Sequence, residues 1–208
     1  MRQTTALLVI DMQNGFLHPA SPCYIAGAAA TVPACAAVIR HCRQAGIPVC
    51  FVTRRYRPDG ADVEFSRYPA WAEGGRPLSD GCPPELSGAM PEEFAATEAD
   101  YHISKPRFSA FFQTELDLLL RRLGIRTLLL AGTTTPNCIR TTCYDALSLD
   151  YNVAVLSDCT SSATPEIQAS NLRDMENIGA QILTSAAFLA GEPLADTLGR
   201  VQAAVRGE

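Results

Sequence analysis

Asp11, Lys105 and Cys138 are three side chains of unlike chemistry that fall where short apolar runs give way to polar turns. A thiol attacks carbon as its thiolate, a carboxylate can take the proton, and an ammonium nearby favours the negative form. The set could therefore perform nucleophilic catalysis without histidine. Cys138 is the best marked of the three. Thr127 to Ala131 is short, apolar and bounded by Gly132, as a buried parallel strand should be, and Ile139, Tyr144, Leu147 and Leu149 then recur at helical spacing. Cys138 is thus expected to open a helix, where free backbone N–H groups and the positive end of the dipole should lower its pKa. A cysteine more often fills a gap in a core, and an Asp after a strand or a Lys before Pro is more often a turn residue or a solvated charge. The strand, turn and helix around Cys138 are what favour chemistry.

The elements that must position these residues alternate. Ala6 to Ile10 read as a strand ending at Asp11, the stripe Val32, Cys35, Ile39 and Cys42 marks a helix over 30–45 that stops at Gly46, and 47–53 make the next strand. Tyr101 to Ser104 form a short strand leading to Lys105, and Leu116, Leu119, Leu120 and Leu123 line a helix. Val153 to Leu156 and Gln181 to Leu183 are further strands, Thr164 and Pro165 start the helix between them, and 187–205 are mostly helical. Such β-α-β units predict one doubly wound α/β domain over 1–208, a parallel sheet between two helical layers. Its ligand crevice should lie beyond the carboxyl ends of the strands, where the three reactive side chains fall. Residues 54–100 break the rhythm with many Pro and Gly and a basic-aromatic opening, and read as a long binding loop or lid.

Composition narrows the classes. The chain has 208 residues, 47% of them apolar, and 17 basic against 22 acidic side chains give a net charge of −5 with no long run of either sign. That argues against a nucleic-acid partner or a membrane anchor. The first apolar run ends at Asp11, too soon for a signal peptide or span, so a cytoplasmic location is expected. Eight cysteines without a Cys-x-x-Cys pair suggest reduced thiols, and the scattered His18, His41 and His102 suggest no metal site.

Three stretches together resemble the isochorismatase-like cysteine hydrolases: Leu-Leu-Val-Ile-Asp-Met-Gln-Asn-Gly-Phe at 7–16, Lys-Pro-Arg-Phe-Ser-Ala-Phe at 105–111 and Gly-Thr-Thr-Thr-Pro-Asn-Cys-Ile-Arg-Thr-Thr at 132–142. The resemblance implies six parallel strands, frequent dimers or tetramers, and an Asp-Lys-Cys triad carried onto Asp11, Lys105 and Cys138; from the scattered histidines, no cofactor is expected. It also implies a cis peptide bond between Thr133 and Thr134, with the N–H groups of Thr134 and Cys138 forming an oxyanion hole. Asp11 would take the thiol proton, Cys138 would attack a carbonyl, and water would hydrolyse the thioester. Phe16, Arg54, Arg107, Phe111 and Asn137 are candidates to hold a small-molecule substrate, with Arg54, Arg55 and Arg107 as carboxylate clamps or as surface ion pairs. Nicotinamidases resemble the chain but add a histidine-bearing metal motif, whereas 54–100 contain no histidine. True isochorismatases split a vinyl ether and typically lack the cysteine, so Cys138 favours an amide, ureido or related C–N carbonyl. A redox sensor or a binding module is the reading from another class. Cys143, five residues after Cys138, lies about 140° around a helix, which disfavours a disulfide between them.

Overall fold

The computed structural model describes residues 4–207, so the expected span of 1–208 reaches three residues before it and one beyond. In chain order the elements are β1 (Thr5–Ile10), α1 (Asn14–Leu17), α2 (Val32–Gln44), β2 (Val49–Arg54), α3 (Tyr68–Glu73), β3 (Tyr101–Lys105), α4 (Leu116–Leu123) and β4 (Thr127–Thr133). There follow α5 (Arg140–Ser148), β5 (Asn152–Ser161), α6 (Pro165–Asn177), β6 (Gln181–Leu183), α7 (Ser185–Leu189) and α8 (Thr197–Arg206). The strands form one six-stranded sheet in the order β3-β2-β1-β4-β5-β6, every pair parallel. This is the doubly wound α/β arrangement that the alternation predicts, with its switch point between β1 and β4.

Side chains alternate across each strand, and both faces are apolar because both are covered. Ala6, Leu8 and Ile10 of β1 join Val52, Leu128, Leu130, Val153 and Val155 beneath α4, α5 and α6, with Leu116, Leu120, Cys143 and Met175 packed among them. Leu7 and Val9 join Phe51, Leu129, Ala131 and Leu156 on the other face, covered by Val38, Ile39 and Cys42 of α2 and Phe188 of α7. Each fully buried side chain of this kind is worth about 1.5–3 kcal/mol. Gly132 has φ 118°, and a Cβ there would meet the carbonyl oxygen of Ile10 at 2.0 Å. A glycine is what lets β4 pass this close to β1 at the switch point.

Some boundaries differ from the sequence reading. Four strands run past their last apolar residue, to Arg54, Lys105, Thr133 and Ser161. The C-terminal helix is split into α7 and α8 around Gly191 and Pro193. Segment 54–100 is also more ordered than an open loop. It contains α3 and 3-10 turns at Pro84–Leu86 and Glu92–Phe94, and its Tyr56, Val63, Trp71 and Leu78 form a small core with Phe16 of α1. The Trp71 indole donates to the Pro77 carbonyl at 2.9 Å, which satisfies its one polar group. No helix of the described residues is long and apolar enough to cross a membrane.

Candidate active site

β1 ends at Ile10, and Asp11 takes a left-handed turn, φ 54°, which an aspartate tolerates better than most residues. Its N–H donates to the Val52 carbonyl at 2.8 Å, tying the turn to β2 and aiming the carboxylate across the strand ends. Lys105, last residue of β3, reaches it: Nζ donates to Asp11 Oδ2 at 2.7 Å and to the Arg107 carbonyl at 3.0 Å. Both side chains are wholly buried, at 0% exposure. Asp11 Oδ1 is also buried and accepts no hydrogen bond.

β4 delivers Cys138. After Thr133 the chain winds one wide helical turn, Thr135–Ile139, in which the Ile139 N–H donates to the Thr134 carbonyl at 3.3 Å, and then continues as α5. The Thr133–Thr134 bond is cis. The hydroxyls of Thr134 and Thr135 donate to the Ser161 carbonyl at 3.1 and 3.0 Å, and the Ser161 hydroxyl pairs with that of Thr133 at 3.0 Å, so the polar end of β5 braces the turn.

Arg54, last residue of β2, is the fourth member of the cluster and only 1% exposed. Its Nη2 lies 3.7 Å from Cys138 Sγ, while Nη1 donates to Glu64 and, at 2.7 Å, to the Tyr56 hydroxyl. Tyr56 donates in turn to Glu64 at 2.7 Å. Gln13 grips the Arg54 backbone at both ends, accepting from its N–H at 2.7 Å and donating to its carbonyl at 3.0 Å. Burial works against the guanidinium's charge, but Cys138, Asp11, Tyr56 and Glu64 outweigh it and leave Arg54 above its usual pKa. Glu64 is also buried, yet the Arg54 charge and the Tyr56 hydrogen bond hold it below the usual carboxylate value.

The thiol of Cys138 departs from expectation. Burial, first, and then the Asp11 carboxylate push its pKa up, and Lys105 and Arg54 only partly offset them. The resting site therefore holds a thiol beside an acceptor, not a ready thiolate.

The remaining candidates scatter. Phe16 is buried in the small core with Tyr56 and Trp71. Asn137 is half-buried on the wide turn, its N–H donating to the Thr134 carbonyl at 3.1 Å. Arg107 is half-buried and Nη1 donates to the carbonyls of Asp62 and Pro106. Arg55 pairs with Asp80 at 2.6 Å on the surface, outside the cluster. Phe111 is a correction: its ring packs at a tilt against Tyr151, centroids 5.9 Å apart, just before β5 begins and so at the opposite end of the sheet from Cys138. The aromatic of that motif which reaches the site is Phe108, whose ring centroid lies 5.1 Å from the Arg54 guanidinium carbon. Among the described residues no three His, Cys, Asp or Glu side chains gather as a metal site would require. A cavity of about 200 Å³ is lined by Cys23, Tyr56, Val63, Ser66, Arg67 and Trp71 among others, and Tyr56 is the wall residue that hydrogen-bonds Arg54.

The model of the Isochorismatase domain matches residues 5–187. A protein of Arabidopsis thaliana described as a probable inactive nicotinamidase is 44% identical over 88% of this chain and 93% of its own. A ureidoacrylate amidohydrolase of Azorhizobium caulinodans is 30% identical over 89% of each. Among solved structures, an isochorismatase family protein of Desulfovibrio vulgaris superposes with a TM-score of 0.83 at 41% identity, over 89% of this chain and 96% of that one.

Proposed function

The chain belongs to the isochorismatase family, and on that premise we propose that it is a hydrolase that opens the C–N bond of a small amide or ureido compound through a thioester on Cys138. The observation that carries the reading is the free oxygen of Asp11. One carboxylate oxygen is fixed by Lys105, and the other, buried and without a partner, is left to accept a proton at the nucleophile.

In the first step the thiol proton passes to Asp11 Oδ1 as the sulfur forms a bond to the substrate carbonyl carbon. Because the resting thiol's pKa is raised, proton transfer and attack go together, as general-base catalysis requires. Negative charge on sulfur faces the guanidinium of Arg54 at 3.7 Å. The carbonyl oxygen becomes an oxyanion held by the N–H groups of Thr134 and Cys138. Asp11 then returns the proton to the departing nitrogen, the C–N bond breaks, and ammonia or an amine leaves. Water gives a proton to Asp11 and its oxygen to the acyl carbon, the C–S bond breaks, and the proton goes back to sulfur. No step calls on a metal or cofactor.

Ammonia release from a panel of small amides, ureido acids and nicotinamide tests the reading. Turnover of at least one amide or ureido acid, abolished in Cys138→Ala, is the expected result. The name of the Arabidopsis relative favours a second reading, a member of the fold that binds without hydrolysis. A panel in which nothing is turned over would leave that reading in place.

A further inference from the structure

Four buried charges meet around Cys138, and they cancel. Asp11 pairs with Lys105 at 2.7 Å, both side chains at 0% exposure, and Arg54 pairs with Glu64, the guanidinium wholly buried and the carboxylate nearly so. Buried charge without a partner is costly, so the cluster is cheapest to bury when its sum is zero. With Asp11, Glu64, Lys105 and Arg54 all charged, that condition holds only while the sulfur keeps its proton. Take Glu64 away and the sum reverses: one positive charge is left over, and a thiolate is what would neutralise it. The other ionisable groups nearby do not upset this count. Burial keeps Tyr56 and Cys23 in their neutral forms by raising both pKa values. Arg67 lies over the Phe108 ring, 4.7 Å from its centroid, but is only half-buried, so water screens its charge.

Glu64 reaches the sulfur through Arg54. Nη1 of the guanidinium donates to Glu64 and, at 2.7 Å, to the Tyr56 hydroxyl, while Nη2 lies 3.7 Å from Cys138 Sγ. Tyr56 donates to the other Glu64 oxygen at 2.7 Å, so the carboxylate is itself fixed. We propose that Glu64 is a positioning residue: by taking up the Arg54 charge it keeps the Cys138 sulfur protonated at rest, so that the proton needed by the departing nitrogen is still in the site when attack begins. The consequence for turnover rests on the C–N hydrolase reading. In that reaction the sulfur's proton passes to Asp11 and then to nitrogen as the C–N bond breaks. A thiolate already paired with Arg54 would form the C–S bond with no proton on Asp11 to hand over. The adduct would then expel sulfur, a better leaving group than an amide anion, and return to substrate.

Glu64→Gln keeps the shape of the side chain and removes its charge. Iodoacetamide labelling of Cys138 against pH, read by peptide mass spectrometry, should show the thiolate forming about one pH unit lower than in the wild type, and so labelling about 10-fold faster near neutral pH. Turnover of the best amide or ureido acid should fall about 10-fold over the same range and recover as the pH is lowered and the thiol regains its proton. A site that had merely loosened would lose both together. Labelling that does not rise, or turnover that does not fall, overturns the assignment. So does a wild type whose Cys138 already labels as a thiolate below about pH 7. Should Glu64→Gln alone fail to fold, the doubly substituted Arg54→Gln, Glu64→Gln enzyme, whose cluster is neutral again, decides: its sulfur should hold its proton as firmly as the wild type's. A thiolate at about pH 7 in that enzyme would mean that Glu64 does not act through Arg54, and overturns it. If the wild type hydrolyses no amide or ureido compound, the hydrolase reading falls, and the labelling curves still decide what Glu64 does to the sulfur.

Discussion

At Cys138 two requirements compete, since the Asp11 carboxylate that must accept the thiol proton also raises the cost of forming a thiolate. Replacing Asp11 by Asn separates them. The acceptor is lost, so turnover should fall about 10²- to 10³-fold, yet the thiol should ionise at lower pH, because Lys105 and Arg54 remain without the opposing carboxylate. Rates of iodoacetamide labelling of Cys138 against pH, alongside turnover, check both halves. Near-normal turnover in folded Asp11→Asn would remove Asp11 from the mechanism. Asp11, Lys105 and Cys138 could be singled out in the sequence because Asp11 and Lys105 follow strand-like stretches and Cys138 lies in the turn between a strand and a helix. Glu64 and Arg67 were not, since nothing periodic marks them and the turns of segment 54–100 decide where they point. Phe108 and Phe111 illustrate the same limit: three residues apart in one motif, they end on opposite ends of the sheet. The thiol's raised pKa runs against the sequence expectation because a helix start is visible in sequence and burial is not.

At the scale of elements, the site exists because β1 and β4 lie side by side while their chains turn to opposite faces of the sheet, leaving a crevice at their ends. Gly132 permits that closeness. Gly132→Ala would drive a methyl into the Ile10 carbonyl, 2.0 Å from the ideal Cβ position, at a φ of 118° that disfavours a side chain. We expect a loss of about 3 kcal/mol or more, read as a lower urea midpoint. A midpoint like the wild type's would show that the strands can part without cost. The order of strands and helices could be read from apolar patterning, since both faces of the sheet are covered and the runs are continuous. Strand ends could not, because Arg54, Lys105, Thr133 and Ser161 continue the ladder with polar residues where the site is built.

For the molecule as a whole, the buried cysteines that serve packing set a limit at high pH. Burial pushes the thiols of Cys42, Cys50 and Cys143 from 9.0 up to about 12. Between those values the unfolded chain has lost thiol protons that the native state keeps, so rising pH favours unfolding by up to about 1.4 kcal/mol per pH unit for each thiol. The urea midpoint should change little between about pH 7 and 8.5 and fall from about 9 towards 11, less steeply in Cys143→Ala. A midpoint indifferent to this range would contradict the burial of these thiols.

The central claim is a covalent one, that the acyl group of the substrate passes through sulfur at position 138. Rapid acid quench of the enzyme during turnover of its best amide or ureido acid, followed by peptide mass spectrometry, tests it most directly. The account predicts an added acyl mass on the peptide carrying Cys138 and none on peptides carrying Cys23 or Cys143. Sustained turnover with no adduct at Cys138, or an adduct on another cysteine that tracks activity, would contradict it.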